Sequence, residues 1–289
     1  MQGPALHQGG VLPQPPDGAA RIWLIAGTGE GPALAGRLLE RGWNLRVSVV
    51  SPAAARAYAP HPRLELRVGA LDGPAGPEGA VLAELREAAE RGRPFRWLVD
   101  ASHPFARRIS AALASACASA GQPLVRLERP RPAVPGATLL ADLESLEGID
   151  LSGRHLLLAI GARRLAEAVA HSPGAVHHAR LLPQPGALRQ AMAAGLDAAR
   201  LAALRPPAEA GAAAAIEAAL CRRWRIEVVL CRRSGGPSES HWRRLCAAMG
   251  LRLLLLERPP EPPGATLLPL AALLERLGEA PGGASGGLA

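Results

Sequence analysis

A chain of 289 residues with 48% apolar and 20% charged side chains is long enough for two cores and has the balance of a soluble globular protein. All 33 basic residues are arginine, which excludes a Schiff-base lysine, a P-loop lysine and a lysine general base. The net charge of +8 rests on scattered arginines without aromatic interleaving, so the expected partner is an anionic small molecule and no nucleic acid is expected.

Residues 1–20 lack the charged-then-apolar layout of a signal peptide and read as a disordered lead; residues 277–289 read as a flexible tail. Between them short apolar runs alternate with helical stretches, the pattern of a parallel sheet. The first half predicts strands at 21–26, 45–50, 64–68, 97–101 and 123–128, with helices near 31–41, 77–91 and 105–120. The second half predicts strands at 155–160, 176–180, 199–204, 226–231 and 251–257, with helices near 162–171, 186–194, 208–223 and 238–249. Each round closes on nearly the same words, "LERPRPAVPGATLL" from Leu127 and "LERPPEPPGATLL" from Leu256. A repeat at so long a period points to two related α/β domains, each with a mainly parallel five-stranded sheet, facing one another across an interdomain cleft. Their expected limits are 21–145 and 151–276, joined by a linker at about 141–154.

The four cysteines show no C-x-x-C spacing, which argues against structural zinc and a disulfide scaffold, and no metal site is expected. No apolar run reaches the roughly 20 residues of a membrane span. The expected location is the cytoplasm, with no membrane partner, as a monomer or weak homo-oligomer.

In doubly wound sheets ligands sit beyond the carboxyl ends of the strands, so the loops there are the candidates for chemistry. "IAGTGEG" leaves the first strand and opens a helix: Gly27, Gly29 and Gly31 let backbone amides approach an anion at a helix N-terminus, or simply make a tight turn. Glu30 stands where it would repel a phosphate unless it turns away to cap the helix. After the second strand, "SPAAAR" offers Ser51 and Arg56 and no acid, which favours NADPH over NADH if a dinucleotide binds. "VDASHPFARRIS" places Asp100, Ser102 and His103 at the end of a central strand. Ser102 is a candidate helix cap; His103, beside Phe105, is a candidate for contacting a ring system or moving a proton. "RRSGGPSE" brings Arg233 together with the Ser234, Gly235 and Gly236 turn, a second anion-binding arrangement or a solvated basic face. Arg129 and Arg258, in the twin E-R-P turns, are either site forks or partners of Glu128 and Glu257.

Taken together these motifs resemble the precorrin-6A reductase family. The resemblance rests on "GTGEG", "VGALD" (68–72), "VDASHPFARRIS", "ACASAGQPLVRLERP" (116–130), "AIGARRL" (159–165), "ARLLP" (179–183) and "CRRSGGPSE" followed by "LCAAMGLRLLLLERP", and spans roughly residues 21 to 269. It implies two Rossmann-like domains and a reductase that passes hydride from NADPH, or from NADH, to a carbon–carbon double bond of precorrin-6A or its cobalt-containing counterpart, giving precorrin-6B. It implies cofactor contacts at Gly27, Thr28, Gly29, Glu30, Ser51, Arg56, Ser102, Arg233, Ser234, Gly235 and Gly236. Contacts to the tetrapyrrole are implied at Asp72, His103, Phe105, Arg129, Arg163, Arg180 and Arg258, with His103 as proton donor or orienter. Three departures stand out: Arg232 and Arg233 where the family usually has Lys and an acidic or polar residue, "RPPAEA" in place of a G-P-F-S-like turn, and "GTGEG" in place of the commoner G-G-T form. Arg205 and Glu209 are therefore not carried over. The rivals are a cyclase or transferase on the same architecture and a tetrapyrrole carrier without redox chemistry. The reading requires His103 and the Gly27–Gly31 turn to open on the same side.

Overall fold

A computed structural model describes residues 20–27, 29–204 and 212–281. The chain forms two compact units: one holds the described residues up to Pro130 and from Pro259 onward, the other runs from Arg131 to Arg258.

The first unit is built from β1 (Arg21–Ala26), α1 (Gly31–Glu40), β2 (Asn44–Val49), α2 (Pro52–Ala55), β3 (Leu64–Val68), α3 (Gly76–Glu90), β4 (Trp97–Ala101), α4 (Arg107–Ala120) and β5 (Leu124–Glu128). The next strand, β6 (Thr138–Leu140), belongs to the second unit. There it is followed by β7 (His155–Ala159), α5 (Leu165–Ala170), β8 (Val176–Leu181), α6 (Pro185–Ala193), β9 (Leu201–Ala203), α7 (Ala212–Arg223), β10 (Val228–Arg232), α8 (Pro237–Met249) and β11 (Arg252–Leu256). The chain then returns to the first unit as β12 (Thr266–Pro269) and α9 (Leu270–Leu277).

Both sheets are parallel and six-stranded, in the orders β12-β5-β4-β1-β2-β3 and β6-β11-β10-β7-β8-β9. The five strands expected in each half are present; the sixth is exchanged. Thr266–Pro269 pairs with Val125–Glu128, and Thr138–Leu140 pairs with Leu254–Leu256. The repeated "GATLL" is thus an edge strand that each half contributes to the other half's sheet, covering the open side of β5 or β11. This moves the unit limits away from 145 and 151, because a strand belongs to the sheet whose ladder it completes. The segment expected as linker holds Leu143, Leu146 and Leu151, all buried.

Helices cover both faces of the first sheet. Along β1, Ile22 and Leu24 point into a cluster with Leu34, Leu38, Trp43 and Leu273, while Trp23 and Ile25 point into another with Val81, Phe95, Leu98 and Leu113. The edge strand β3 is largely exposed and carries Glu65, which pairs with Arg21 and Arg46. Such charges blunt an edge against further pairing. In the second unit Leu157, Val229, Trp242, Leu253 and Leu255 lie in one buried cluster. Helix α9 falls at the end of the stretch expected to close the second domain, yet it belongs to the first unit, where its Leu273, Leu274 and Leu277 are buried. No helix among the described residues is long and apolar enough to cross a membrane.

Because Leu273 is fully buried in the cluster that backs β1, Leu273→Ala is expected to destabilise the protein by about 2–5 kcal/mol, read as a lowered urea midpoint.

Candidate active site at the carboxyl edges of the sheets

In the first unit β1 lies between β2 and β4, and Ala26 is in register with Ala101. The chain order reverses between β1 and β4, so the loops that follow them leave side by side at the point where doubly wound sheets open a crevice. The Gly27–Gly31 turn and the Ser102–Ala106 loop therefore emerge from the same edge of one sheet, as the sequence reading requires.

Gly31 has to be glycine. A Cβ there would lie 2.2 Å from Tyr58 Oη and 2.7 Å from the Ala26 Cβ. Tyr58, the single tyrosine, is buried and donates its hydroxyl to the Gly27 carbonyl at 2.7 Å, which ties the turn down. Burial pushes its pKa well above the ordinary phenol value, so it stays protonated. Cβ atoms on Gly27 or Gly29 would meet nothing within 4 Å among the described residues. Thr28 lies outside the described residues. Glu30 occupies the N-cap position of α1 without a side-chain cap bond; its carboxylate instead pairs with the buried Arg129 at 2.7 Å. Burial lowers the Arg129 pKa, and the Glu30 carboxylate opposes that shift.

The Ser102–Ala106 loop rests on a buried polar network. Asp100 and Arg126 are opposite one another on β4 and β5. Arg126 Nη1 bonds Asp100 Oδ2 and also donates to Ser110 Oγ at 2.6 Å, while its Nε reaches Glu261 at 2.7 Å. The other Asp100 oxygen accepts the Ser102 N–H at 2.9 Å. Ser102 does not cap α4. Its hydroxyl lies 3.2 Å from Ser110 Oγ, and Ala106 holds the cap position because the Ser-His-Pro-Phe stretch first makes a turn, with the Ala106 N–H donating to the His103 carbonyl at 2.7 Å. His103 Nδ1 accepts from the Phe105 N–H at 3.2 Å, and the two rings are 5.7 Å apart.

Along the same edge, Ser51 caps α2 by accepting from the Ala54 N–H, and Arg56 is exposed just beyond it. Asp72 pairs with Arg108 at 3.2 Å, joining the loop after β3 to the start of α4.

The second unit repeats the reversal between β7 and β10, where Ala159 faces Cys231. Gly161 (φ +84°) carries the chain out of β7 with the Arg232 guanidinium 3.6 Å from where a Cβ would stand. Arg163 is exposed, whereas Arg164 pairs with Glu167. Ser234 and Gly236 are buried in the turn that opens α8, and Gly235 (φ +70°) donates its N–H to the buried Glu239 at 2.6 Å. Several expected ligand arginines are engaged within the unit. Arg233 pairs with Glu257, Arg258 Nε donates to the Arg233 carbonyl at 2.9 Å, and Arg180 Nε meets Glu217 at 3.0 Å. Glu217 also contacts His241, so Arg180 is tied to both α7 and α8.

At the E-R-P turns Arg129 pairs with Glu30, and Glu257 pairs with Arg233. Sequence reasoning missed Tyr58, Ser110, Arg126, Glu217, Glu239 and Glu261. For Arg126 a signal existed, since a charge interrupts the apolar strand "LVRLE" where its twin reads "LLLLE".

Two doubly wound parallel units, each with a glycine turn at its strand-order reversal, define a protein of the two-domain Rossmann-like class. Over residues 21–277 the chain matches the family described as precorrin-6x reductase CbiJ/CobK, and it belongs to that family. It is 35% identical over 254 residues to a cobalt-precorrin-6A reductase of Synechocystis sp., covering 86% of this chain and 92% of that one. It is 34% identical over 250 residues to a precorrin-6A reductase of Rhodococcus erythropolis, covering 84% and 91%. A solved CobK precorrin-6A reductase shares the fold, with a TM-score of 0.67 at 23% identity over 89% of this chain and 96% of that one. The protein is accordingly an oxidoreductase of cobalamin biosynthesis.

Tyr58→Phe is expected to lower stability by about 0.5–1.5 kcal/mol through loss of the bond to the Gly27 carbonyl. Gly31→Ala should cost more, because the backbone has to move; urea unfolding of both variants checks the order.

Proposed function

We propose that the protein reduces a carbon–carbon double bond of the precorrin-6A macrocycle, or of its cobalt-containing form, to the precorrin-6B level, with NADPH as reductant. The observation that carries this reading is the side-by-side exit of the Gly27–Gly31 turn and the His103 loop from neighbouring strands, in a chain of a reductase family. When bound, the nicotinamide supplies the hydride equivalent.

The residues present fit a dinucleotide. Gly27 and Gly29 have open space among the described residues where side chains would stand, which leaves room for a phosphate to approach the α1 N-terminus. The carboxylate of Glu30 is neutralised by Arg129. Ser51 and the exposed Arg56 take the ribose end, where a guanidinium suits a 2′-phosphate. The turn at Ser234–Gly236 has its Gly235 amide already satisfied by Glu239, so it is the weaker candidate for phosphate.

Of the four arginines expected to meet the macrocycle's acid groups, Arg163 is the exposed one. Arg129, Arg180 and Arg258 contribute chiefly by holding loops and by their positive field.

His103 acts as an orienter. Its Nδ1 accepts the Phe105 N–H, so a second proton on the ring would set two donors against each other. With Nδ1 accepting, Nε2 is the ring's donor position, and on this reading the proton added to the reduced carbon comes from water.

Incubation with precorrin-6A and each nicotinamide in turn, following the pigment spectrum and nicotinamide oxidation, tests the reaction; pigment binding without nicotinamide oxidation would favour a carrier. Arg56→Ala should weaken NADPH binding roughly ten- to a hundred-fold, the worth of one charge-assisted bond, and leave NADH binding nearly unchanged. Equal losses would remove the 2′-phosphate assignment. His103→Ala should lower kcat about tenfold or more and His103→Gln should recover part of it.

A further inference from the structure

We propose that Arg126 is a positioning residue that fixes the Ser102–Ala106 loop, and that Glu261 holds Arg126 to this task. The proposal rests on the functional reading above, because it gives that loop its role.

One guanidinium touches both ends of the loop. Through Asp100 it reaches the Ser102 N–H immediately before His103, and directly it holds Ser110 on α4, beyond Phe105. Arg126 and Asp100 are 4% and 2% exposed, so their charges are fully committed to each other and to these partners. Arg129, which neutralises Glu30 on the glycine turn, feels both of them electrostatically.

The protein contains its own control. The twin stretches align Leu127 with Leu256, which puts Arg126 opposite Leu255 in the repeat. Strand register pairs Arg126 with Asp100 in the first sheet and Leu255 with Cys231 in the second. The same place in the same architecture is therefore filled by a leucine and a neutral, buried cysteine. Burying two charges in a sheet costs desolvation, and apolar pairs of similar volume commonly pack as well or better. The sheet does not require the ion pair, but the loop after β4 carries Ser-His-Pro-Phe where the loop after β10 is the Ser234–Gly236 turn, and it is the His103 loop that uses the pair. Glu261 strengthens the point: the aligned residue of the first stretch is Pro132, so the acid that completes the Arg126 fork also occurs in one half only.

Arg126→Leu alone strands Asp100 as a buried unpaired charge, so the test transplants the twin's chemistry whole, as Asp100→Cys with Arg126→Leu and Glu261→Gln. The expected variant is folded, with circular dichroism like wild type. Hydrogen exchange should rise at least tenfold in residues 102–110 and stay unchanged in β1, β2 and α1. Unchanged exchange in the loop, or a rise spread across the whole unit, would overturn the proposal whether or not the protein reduces the pigment. If wild type turns over precorrin-6A, kcat of the variant should fall ten- to a hundred-fold while its NADPH dissociation constant moves less than threefold. A further His103→Ala should then cost the variant little, having cost wild type its full factor. The same factor in both backgrounds would separate Arg126 from His103 and sink the idea. Wild type lacking turnover while the exchange result holds would count against the functional reading alone.

Discussion

Two parallel strands ending in register, β1 at Ala26 and β4 at Ala101, set the geometry on which the candidate site depends. Because the chain order reverses between them, their outgoing loops cannot be covered by a common crossover helix, and backbone is left open at the carboxyl edge. The glycine turn on one side and the His103 loop on the other are consequences of that reversal. Each is then fixed by its own buried group, Tyr58 beneath the turn and the Asp100–Arg126 pair beneath the loop.

Duplication supplies a second sheet with the same order and the same reversal, but the two edges have diverged in chemistry. In the first unit the edge carries a line of alternating charges, Glu30, Arg129, Asp100, Arg126 and Glu261, each within reach of the next or sensed by it. In the second unit the charges sit differently: Arg233 with Glu257, Arg180 with Glu217, and Glu239 folded back on the Gly235 amide. The exchange of β6 and β12 makes each sheet depend on residues from the other half of the chain, so a change at Glu261 is felt in the sheet that holds the His103 loop.

An arginine-only chain uses its planar forks mainly inward. A guanidinium binds several acceptors in fixed directions and stays charged when buried, which a lysine ammonium does less readily. Arg126 meets the side chains of Asp100, Ser102, Ser110 and Glu261 at once, and Arg129 and Arg233 each close an ion pair at a loop. Counting exposed positive charge from composition therefore overstates what is left for an anionic ligand, and Arg56 and Arg163 gain weight as the exposed members of their loops.

The sequence by itself determined the alternation of ten strands and their helices, the parallel two-unit class, the loops at the carboxyl edges and the family. These follow from apolar periodicity, glycine placement and motifs, all local in the chain. Only the tertiary structure decided which sheet the repeated "GATLL" strands join, that Arg129 answers Glu30 and Glu257 answers Arg233, and that Tyr58 and Arg126 stand behind the two loops. The reason is physical. Periodicity records which residues are buried, whereas ladder pairing and ion pairing select partners as far apart as Arg126 and Glu261 by proximity in space, a quantity that chain order does not carry.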